Sequence, residues 1–322
     1  MLSLGLTGGI AAGKSLLSTR FRELGAVVID ADQLAREVVA PGTPGLAQVV
    51  AQFGQNFLLP DGSLDRLKLG SLVFADPSQR QALNAIIHPR VRAAAQSMKD
   101  QAGPGAIVVQ DIPLLVETGQ GAAFHLVVVV QASAETRVAR MMATRGMSRE
   151  DAQARMDAQA SDAERAAAAD VVIANDGDPQ QAIAALDALW HGRLLPFAAN
   201  LADGQPAAGP LTPQNVPADP RWPVQAARLA ARVKTAVGEL AVSVDHIGAT
   251  SVPGQPAPDV LELQVQVRTA EDLLAAMAPL AAAGFPLSGR TSGGGSLHVS
   301  ADPGRAATVT ALAQAPAQHS TG

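Results

Sequence analysis

A glycine-rich segment near the N-terminus is followed directly by a lysine and a serine. Residues 8–15 have the sequence GGIAAGKS, which fits the phosphate-loop pattern G-x-x-x-x-G-K-[ST]. An apolar run precedes it and apolar residues at helical spacing follow it, which is the strand, loop and helix order that the pattern requires. In such a loop backbone N–H groups surround an anion, Lys14 reaches the β- and γ-phosphates and Ser15 holds Mg²⁺. The segment therefore predicts binding of a nucleoside triphosphate, with a plain glycine-rich turn as the alternative.

Three carboxylates follow predicted strands and could act beside this loop. Asp30 and Asp32 come after the second strand, and Asp111 ends the third. Ligands of open α/β sheets bind at the carboxyl ends of the strands, so these side chains are expected near the phosphates. We expect Asp32 to activate an acceptor hydroxyl and Asp111 to lie near the metal. The structural alternatives are capping of the next helix by Asp30 and Asp32 and a turn role for Asp111.

Arginines are concentrated in the helical stretch after the fourth predicted strand. They are Arg137, Arg140, Arg145, Arg149 and Arg155. Guanidinium groups pair well with phosphate oxygens, and a stretch of this kind can close over a nucleotide and exclude water. Because most charges on helices are only solvated, we expect one or two of the five to act, with Arg140 as the first candidate.

The elements that must position these side chains alternate between strands and helices. Apolar runs rich in β-branched residues occur at residues 2–6, 27–29, 107–109, 126–130 and 171–173. Helical patterns occur between and after them, at residues 15–24, 77–98, 134–144, 149–158 and 179–191. Strands that are apolar on both faces and are separated by helices predict a doubly wound α/β fold around a parallel sheet.

A second folded segment is expected after a stretch without hydrophobic periodicity. Residues 198–218 are rich in Ala, Gly, Pro, Asn and Gln, which predicts a flexible linker. Beyond it we expect a helix over 224–237 and a strand over 261–267, with the pattern fading in the Gly and Ser cluster at 288–296 and after residue 312. These observations predict a phosphate-loop domain at 1–197, a linker at 198–218 and a smaller domain at 219–322.

Composition narrows the class of protein. The chain has 322 residues, of which 48% are hydrophobic, enough for a buried core. A net charge of −5, no basic block and only 3% aromatic residues argue against nucleic-acid binding. No apolar run or leader indicates a membrane, so we expect a cytoplasmic protein. With no cysteine, a metal must be held by oxygen or histidine. Composition does not indicate an oligomeric state.

The N-terminal motifs together resemble the bacterial dephospho-coenzyme A kinase family. The agreement runs in order from residue 4 to about residue 194: LTGGI at 6–10 with GKS at 13–15, IDAD at 29–32, DGSLDR at 61–66, IHP at 87–89, DIPLLVE at 111–117, RGMS at 145–148 and ADVVIAN at 169–175. The resemblance implies a P-loop NTPase-type sheet with a lid and with a helical insertion at about 40–98 that receives the acceptor. It implies ATP-dependent phosphorylation of the ribose 3′-hydroxyl of dephospho-coenzyme A, the last step of coenzyme A biosynthesis.

The same resemblance implies roles for individual residues. It implies that the catalytic residues are Lys14, Asp32 and Arg140. It implies that the nucleotide is bound by Gly9, Ala11, Ala12, Gly13, Lys14, Ser15, Leu16 and Asn175. It also implies that the acceptor is bound by Asp32, Asp65, Arg66, His88 and Asp111, and Mg²⁺ by Ser15 and Asp111. As bare sequence features, His88 beside a helix-breaking or helix-starting Pro89 and Asn175 at a strand end are structural residues. Ala11, Ala12 and Leu16 depart from the usual residues of the family and are expected to narrow the loop slightly.

The C-terminal segment resembles a second family, the GrpB-like, nucleotidyltransferase-related α+β domain that is fused to this kinase in actinobacteria. The resemblance is carried by DPRWP at 219–223 and HIGATSVPG at 246–254. Pro258, Asp259 and Glu262 stand where that family has lysine, proline and aspartate. Because nucleotidyl transfer needs carboxylates spaced for Mg²⁺, we expect a non-catalytic appendage with a stabilising or regulatory role.

Two other functions stay open. A different small-molecule or nucleoside monophosphate kinase would share the loop, the sheet and the lid, but has no reason to carry the 61–66 stretch together with His88 and Pro89. A nucleotide-dependent switch would bind ATP or GTP without phosphorylating a small molecule. No Asn-Lys-x-Asp guanine motif follows the fourth strand, and a switch would gain nothing from Asp32 or an arginine-rich lid.

Overall fold

The computed structural model describes residues 1–208 and 214–314. The first unit, residues 1–203, is built on five strands: β1 (Leu2–Gly8), β2 (Val27–Asp30), β3 (Ile107–Asp111), β4 (Leu126–Gln131) and β5 (Val171–Ala174). Their order in the sheet is β2-β3-β1-β4-β5, and every pairing is parallel. The central strands are buried along almost their whole length, which explains their continuous apolar sequence. The predicted doubly wound α/β sheet is confirmed.

The first unit contains ten α-helices in the part that the structure describes. They are α1 (Lys14–Glu23), α2 (Ala31–Glu37), α3 (Pro44–Phe53), α4 (Arg66–Ala75), α5 (Pro77–Ala102), α6 (Ala134–Arg145), α7 (Arg149–Asp157), α8 (Asp162–Ala168), α9 (Pro179–Leu189) and α10 (Leu195–Asp203). Helices α2 to α5 form an insertion between β2 and β3, with its own apolar core around Val49 and Leu69. Helix α5 continues through Pro89, so that proline does not start a helix.

The connection to the second unit differs from the predicted linker. A π-helical turn at Trp190–Leu194 joins α9 to α10, and α10 continues to Asp203. Phe197 and Ala198 are buried in the apolar core of the first unit. Residues 198–203 are therefore helical, because an alanine-rich segment with a buried face needs no strong periodicity to pack. Residues 209–213 of the predicted linker lie outside the described residues.

The second unit, residues 214–314, is an α+β fold. Its elements are β6 (Asn215–Val216), α11 (Trp222–Val237), β7 (Ala241–Ile247), β8 (Ala257–Pro258), β9 (Leu261–Val267), α12 (Ala270–Ala282), β10 (Leu287–Arg290), β11 (Ser296–Val299) and β12 (Ala307–Ala313). Five strands form a sheet in the order β10-β11-β12-β9-β7, in which only β12 and β9 pair in parallel. Alternate residues of β9 are buried, and they share an apolar core with α11 and α12.

The expectation that the pattern fades at 288–296 is wrong. These residues form the β10–β11 hairpin. The turn includes Gly294 at φ +82° and a hydrogen bond from the Gly295 N–H to the Thr291 hydroxyl, 3.0 Å long. The hydrophobic pattern is interrupted because the turn needs glycine, which adopts a positive φ without steric cost. The tail beyond residue 314 lies outside the described residues.

Polar contacts join the two units. The Arg193 guanidinium donates two hydrogen bonds to the Asp302 carboxylate, at 2.8 and 2.7 Å, and the Asn200 side-chain amide donates to the Ala301 carbonyl at 2.8 Å. The second unit is thereby fastened to the helical segment that follows β5. Across both described ranges, no helix is long and apolar enough to cross a membrane.

Candidate active site

The phosphate loop connects the end of β1 to the start of α1. Gly13 has φ +92°, and a Cβ atom at this position would collide with the side-chain nitrogen of Asn175. Ala11 has φ +60°, a left-handed conformation that costs a residue with a Cβ about 1–2 kcal/mol. The loop therefore keeps a phosphate-loop conformation at Ala11 in spite of its side chain, while Gly13 allows no larger residue.

Two side chains from outside the loop bind its carbonyl groups. The Arg140 guanidinium, on α6, donates to the carbonyls of Ala11 and Ala12 at 3.3 and 3.2 Å and to the Asn175 carbonyl at 2.8 Å. The Asn175 side-chain amide donates to the Ala12 carbonyl at 2.8 Å. Arg140 and Asn175, both singled out from the sequence, thus meet at the phosphate loop. These contacts turn loop carbonyls outward, which suits a loop that offers N–H donors to an anion.

Lys14 and Asp111 form an ion pair beside the loop. Asp111 ends β3, is 8% exposed, and also accepts a hydrogen bond from the Ser18 hydroxyl at 2.6 Å. The sheet register places Asp111 beside Asp30 of β2. Asp111 therefore lies beside Lys14 of the phosphate loop and is engaged by two side chains of α1, while its predicted place near a metal stays a prediction.

The two aspartates after β2 have different surroundings. Asp30 caps α2, because its carboxylate accepts the N–H groups of Asp32 and Gln33 at 2.9 and 3.0 Å. Asp32 lies in the first turn of α2 and is exposed. Within the described residues, no hydrogen bond to its carboxylate occurs. Of the two, Asp32 is the carboxylate left available for a ligand.

The acceptor-side candidates lie on the helical insertion. Asp65 caps α4 through the Lys68 N–H, and Arg66 donates to the Arg36 carbonyl at 3.1 Å. Burial and the neighbouring Arg36 charge lower the pKa of Arg66. His88 is exposed on α5, and no hydrogen bond in the described ranges joins it to the others. The structure thus brings Arg66 to α2, whereas the acceptor-side role of His88 stays a prediction.

Sequence reasoning missed Arg36 as a candidate, although a signal was present. Arg36 follows Asp32 by four residues on α2, a spacing that puts both on one helix face. Its guanidinium is close enough to Arg66 for the two charges to interact. This pair of cations beside Asp32 suits a negatively charged acceptor.

The five arginines of the predicted lid differ in their burial and in their contacts. Arg137 is buried against Gly9 and pairs with Asp162 at 3.1 Å, and burial lowers its pKa. Arg149 pairs at the surface with Glu135, at 2.7 Å. Arg145 and Arg155 are exposed. Only Arg137 and Arg140, three residues apart on α6, contact the phosphate loop.

Two residues that the sequence analysis did not single out, Gln159 and Arg165, also contact the phosphate loop. Arg165, on α8, lies against Gly9 and also pairs with Asp162 at 2.5 Å. The Gln159 side-chain carbonyl accepts the Ile10 N–H at 2.8 Å. These contacts span large sequence separations, and no local pattern signals them. The lid segment is therefore packed directly on the phosphate loop.

The donors available for a metal are oxygen atoms. Ser15 is exposed in the first turn of α1, and the Asp111 carboxylate lies near Lys14. Within the described ranges, no group of three or more His, Cys, Asp or Glu side chains is placed to hold a metal ion. Mg²⁺ is commonly held by one or two protein oxygens together with substrate phosphates. The donor set therefore fits Mg²⁺ that binds with a nucleotide.

Between residues 214 and 314, no group of three or more carboxylate or histidine side chains is placed to hold a metal ion. Asp259 accepts a hydrogen bond from the Trp222 indole at 2.7 Å and pairs with Arg305. Glu262, on β9, lies against Gly248. Asp259 thus holds α11 in place, which is a structural use of a position that the nucleotidyltransferase-related family fills differently.

Comparisons with known proteins match both units. The family model described as Dephospho-CoA kinase matches residues 2–181, and that of GrpB protein matches residues 213–318. The chain is 48% identical over 292 residues to a dephospho-CoA kinase of Mycolicibacterium paratuberculosis, covering 89% of this chain and 70% of the relative. It is 49% identical over 289 residues to a dephospho-CoA kinase of Mycobacterium tuberculosis, with the same coverage. A solved structure of TT1252 from Thermus thermophilus is 33% identical, covers 59% of this chain and 97% of its own, and has a TM-score of 0.49.

Proposed function

Because the chain belongs to the dephospho-coenzyme A kinase family, we propose that the phosphate loop, α2 and the lid helix α6 together form its active site. The protein transfers the γ-phosphoryl group of ATP to the ribose 3′-hydroxyl of dephospho-coenzyme A, the last step of coenzyme A biosynthesis. The observation that carries the proposed site is the position of Lys14, Asp111 and the free Asp32 at one edge of the sheet. This is the edge at which ligands of open α/β sheets bind.

The loop and the lid hold the ATP phosphates in this proposal. The N–H groups of Ala11, Gly13, Lys14 and Ser15, which are not used by the bonds that engage Ile10 and Ala12, face the β-phosphate. The Lys14 ammonium moves from Asp111 to the β- and γ-phosphate oxygens. Arg140 binds the carbonyls of Ala11 and Ala12, and in this proposal it reaches from α6 over the nucleotide when ATP is bound. The N–H groups of Ala12 and Leu16 donate to the carbonyls of Gly9 and Gly13, so in this proposal these two residues support the backbone of the loop beside the phosphates.

Asp32 and its neighbours act on the acceptor. The 3′-oxygen attacks the γ-phosphorus and forms the new O–P bond, while the bond between the γ-phosphorus and the β,γ-bridging oxygen breaks and ADP leaves. Asp32 accepts the proton of the attacking hydroxyl. The guanidinium groups of Arg36 and Arg66 pair with the phosphates of the acceptor. We propose that Asp65 positions Arg66 through the cap of α4, and that His88 contacts the acceptor on the insertion.

Mg²⁺ is proposed as the accompanying metal ion. Ser15 and Asp111 would hold it, because both offer the hard oxygen ligands that Mg²⁺ prefers. When bound, it supplies charge neutralisation on the β- and γ-phosphates. Asn175 is proposed to lie near the adenine while its amide keeps the Ala12 carbonyl in place.

The two units have separate roles in this proposal. Residues 1–203 carry the kinase chemistry and the second unit, residues 214–314, is non-catalytic, a division supported by the two apolar cores, of which the first extends to Ala198 of α10. The use of ATP and the net charge of −5 without a basic block support a cytoplasmic enzyme that acts without nucleic acid or a membrane.

A matched pair of variants tests the role of Asp32. We expect Asp32→Asn to lower kcat by about 10²–10⁴-fold, because the general base is lost, with ATP affinity unchanged. Asp30→Asn is the control, since asparagine keeps the α2 cap and should keep most of the turnover. The assay is ADP release with dephospho-coenzyme A, with adenosine, AMP and CMP as other acceptors. Near-normal turnover of the Asp32 variant would remove Asp32 from the mechanism.

A further inference from the structure

A cavity lies between the two units. Its volume is about 330 Å³, at the lower end of the range for pockets that bind small molecules. The first unit contributes Phe124 and His125, next to the start of β4, and the second unit contributes Arg232, Pro279 and Ala282 from α11 and α12. None of these residues belongs to the proposed kinase site.

Arg232 brings a buried positive charge to this cavity. Its side chain is 8% exposed, and its nearest carboxylate, Asp170, is 3.6 Å away, too far for a normal hydrogen bond. Asp170 already accepts the Val127 N–H at 2.8 Å and the Arg228 side chain at 3.2 Å. Within residues 1–208 and 214–314, Arg232 donates no hydrogen bond, and its Nε atom is buried without an acceptor. Asp170 and Asp302 balance part of the Arg232 charge, but the hydrogen-bonding capacity of the guanidinium stays unused, which is destabilising unless an acceptor is supplied.

The other residues that line the cavity are neutral or apolar. His125 accepts the Ser3 N–H on Nδ1, at 3.1 Å, and its Nε2 therefore donates to the Ala282 carbonyl at 2.7 Å. Burial lowers the pKa of His125 to about 4, so the ring is neutral at pH 7. The remaining lining is mainly apolar: Ala122, Ala123, Phe124, Ala236, Pro279 and Ala283, with Thr235 as the further polar residue.

We propose that this cavity binds a small carboxylic acid anion with a compact apolar body. The carboxylate accepts two parallel hydrogen bonds from the Arg232 guanidinium, whose fork matches its geometry. The apolar body packs on Phe124 and the alanine residues. The cavity volume limits the ligand to about the size of hexanoate or phenylacetate. This site is separate from the kinase site and would exist whatever the roles of the kinase residues.

Binding is measured on the full chain with saturating ADP, which occupies the phosphate loop. The probes are hexanoate and phenylacetate, and their neutral controls are 1-hexanol and 2-phenylethanol. In calorimetry and saturation-transfer NMR, we expect each acid to bind at least about tenfold more tightly than its alcohol, because hydrogen bonds to a charged group are strong. Equal affinity of acid and alcohol, or no binding of either acid at millimolar concentration, would overturn the proposal.

Two variants locate the site. Ala282→Phe adds a ring at an exposed position on the cavity wall and should abolish acid binding while kinase turnover stays normal, which also reports correct folding. Arg232→Gln should reduce the affinity for the acids to that for the alcohols. Unchanged acid binding by Ala282→Phe would place the probes elsewhere. Inorganic phosphate that binds as tightly as hexanoate would overturn the requirement for an apolar body.

Discussion

The ion pair between Lys14 and Asp111 predicts that removal of the Asp111 carboxylate increases the affinity for ATP when Mg²⁺ is absent. Phosphate oxygens must compete with the Asp111 carboxylate for the Lys14 ammonium. The side chains are only 18% and 9% exposed, so solvent screens the pair little. Asparagine still accepts a hydrogen bond from the Lys14 cation, but the attraction between the two opposite charges is lost. Replacing Asp111 by asparagine should therefore weaken the competing contact by roughly 1–2 kcal/mol, between the value of an exposed ion pair and that of a buried one.

We expect Asp111→Asn to bind ATP about tenfold more tightly than the parent protein in the absence of Mg²⁺. With Mg²⁺ and dephospho-coenzyme A, the same variant should need more Mg²⁺ and turn over more slowly, because a proposed metal ligand is lost. Calorimetry in EDTA measures the first effect, and a Mg²⁺ titration of ADP release measures the second.

The control variant is Ser18→Ala, which removes the hydroxyl donor to Asp111 but keeps the carboxylate charge. It should not tighten Mg²⁺-free ATP binding. Weaker ATP binding by Asp111→Asn without Mg²⁺ would refute the competition argument, because Asp111 would then serve to aim Lys14 at the phosphates.

Two further predictions concern the junction between the units. Asp302→Asn removes the charge partner of Arg193, whose side chain is 18% exposed. The loss costs about 3 kcal/mol, the lower end for a buried pair, and should lower the unfolding midpoint by on the order of 10 °C. The exposed Asp203→Asn is the calorimetric control, and an equal midpoint for both variants would contradict the prediction. The pKa of His125 is lowered to about 4, so the unfolded chain binds the extra proton between pH 6.5 and pH 4. Stability is then full above pH 6.5 and falls by up to about 3 kcal/mol on acidification through this window. Denaturant unfolding of His125→Gln should show a flatter pH dependence, and an unchanged slope would rule out this histidine as the cause.

The parallel sheet and the phosphate loop were predictable because their signals are local. A strand buried on both faces needs an uninterrupted apolar run, and the loop needs glycine at fixed positions such as Gly13. Helix α10 and the β10–β11 hairpin were missed since alanine-rich and glycine-rich segments carry little periodicity. The ion pair of Arg193 and Asp302 was beyond sequence reasoning, because it joins residues that only the tertiary fold brings together. The same holds for Arg165, which reaches the loop from the far end of the lid.

The point of attachment of the second unit has a mechanical consequence. Arg193 and Asn200 fasten that unit to the helical segment after β5, whereas helices α2 to α5 emerge beyond β2, at the opposite edge of the sheet. No hydrogen bond or ion pair between described residues connects α2–α5 to the second unit. The insertion that we propose to bind the acceptor therefore has no polar link to the C-terminal unit, so a change in its position on acceptor binding would not have to break the contacts that join the units. Other domains could be attached at the same helix with the same independence.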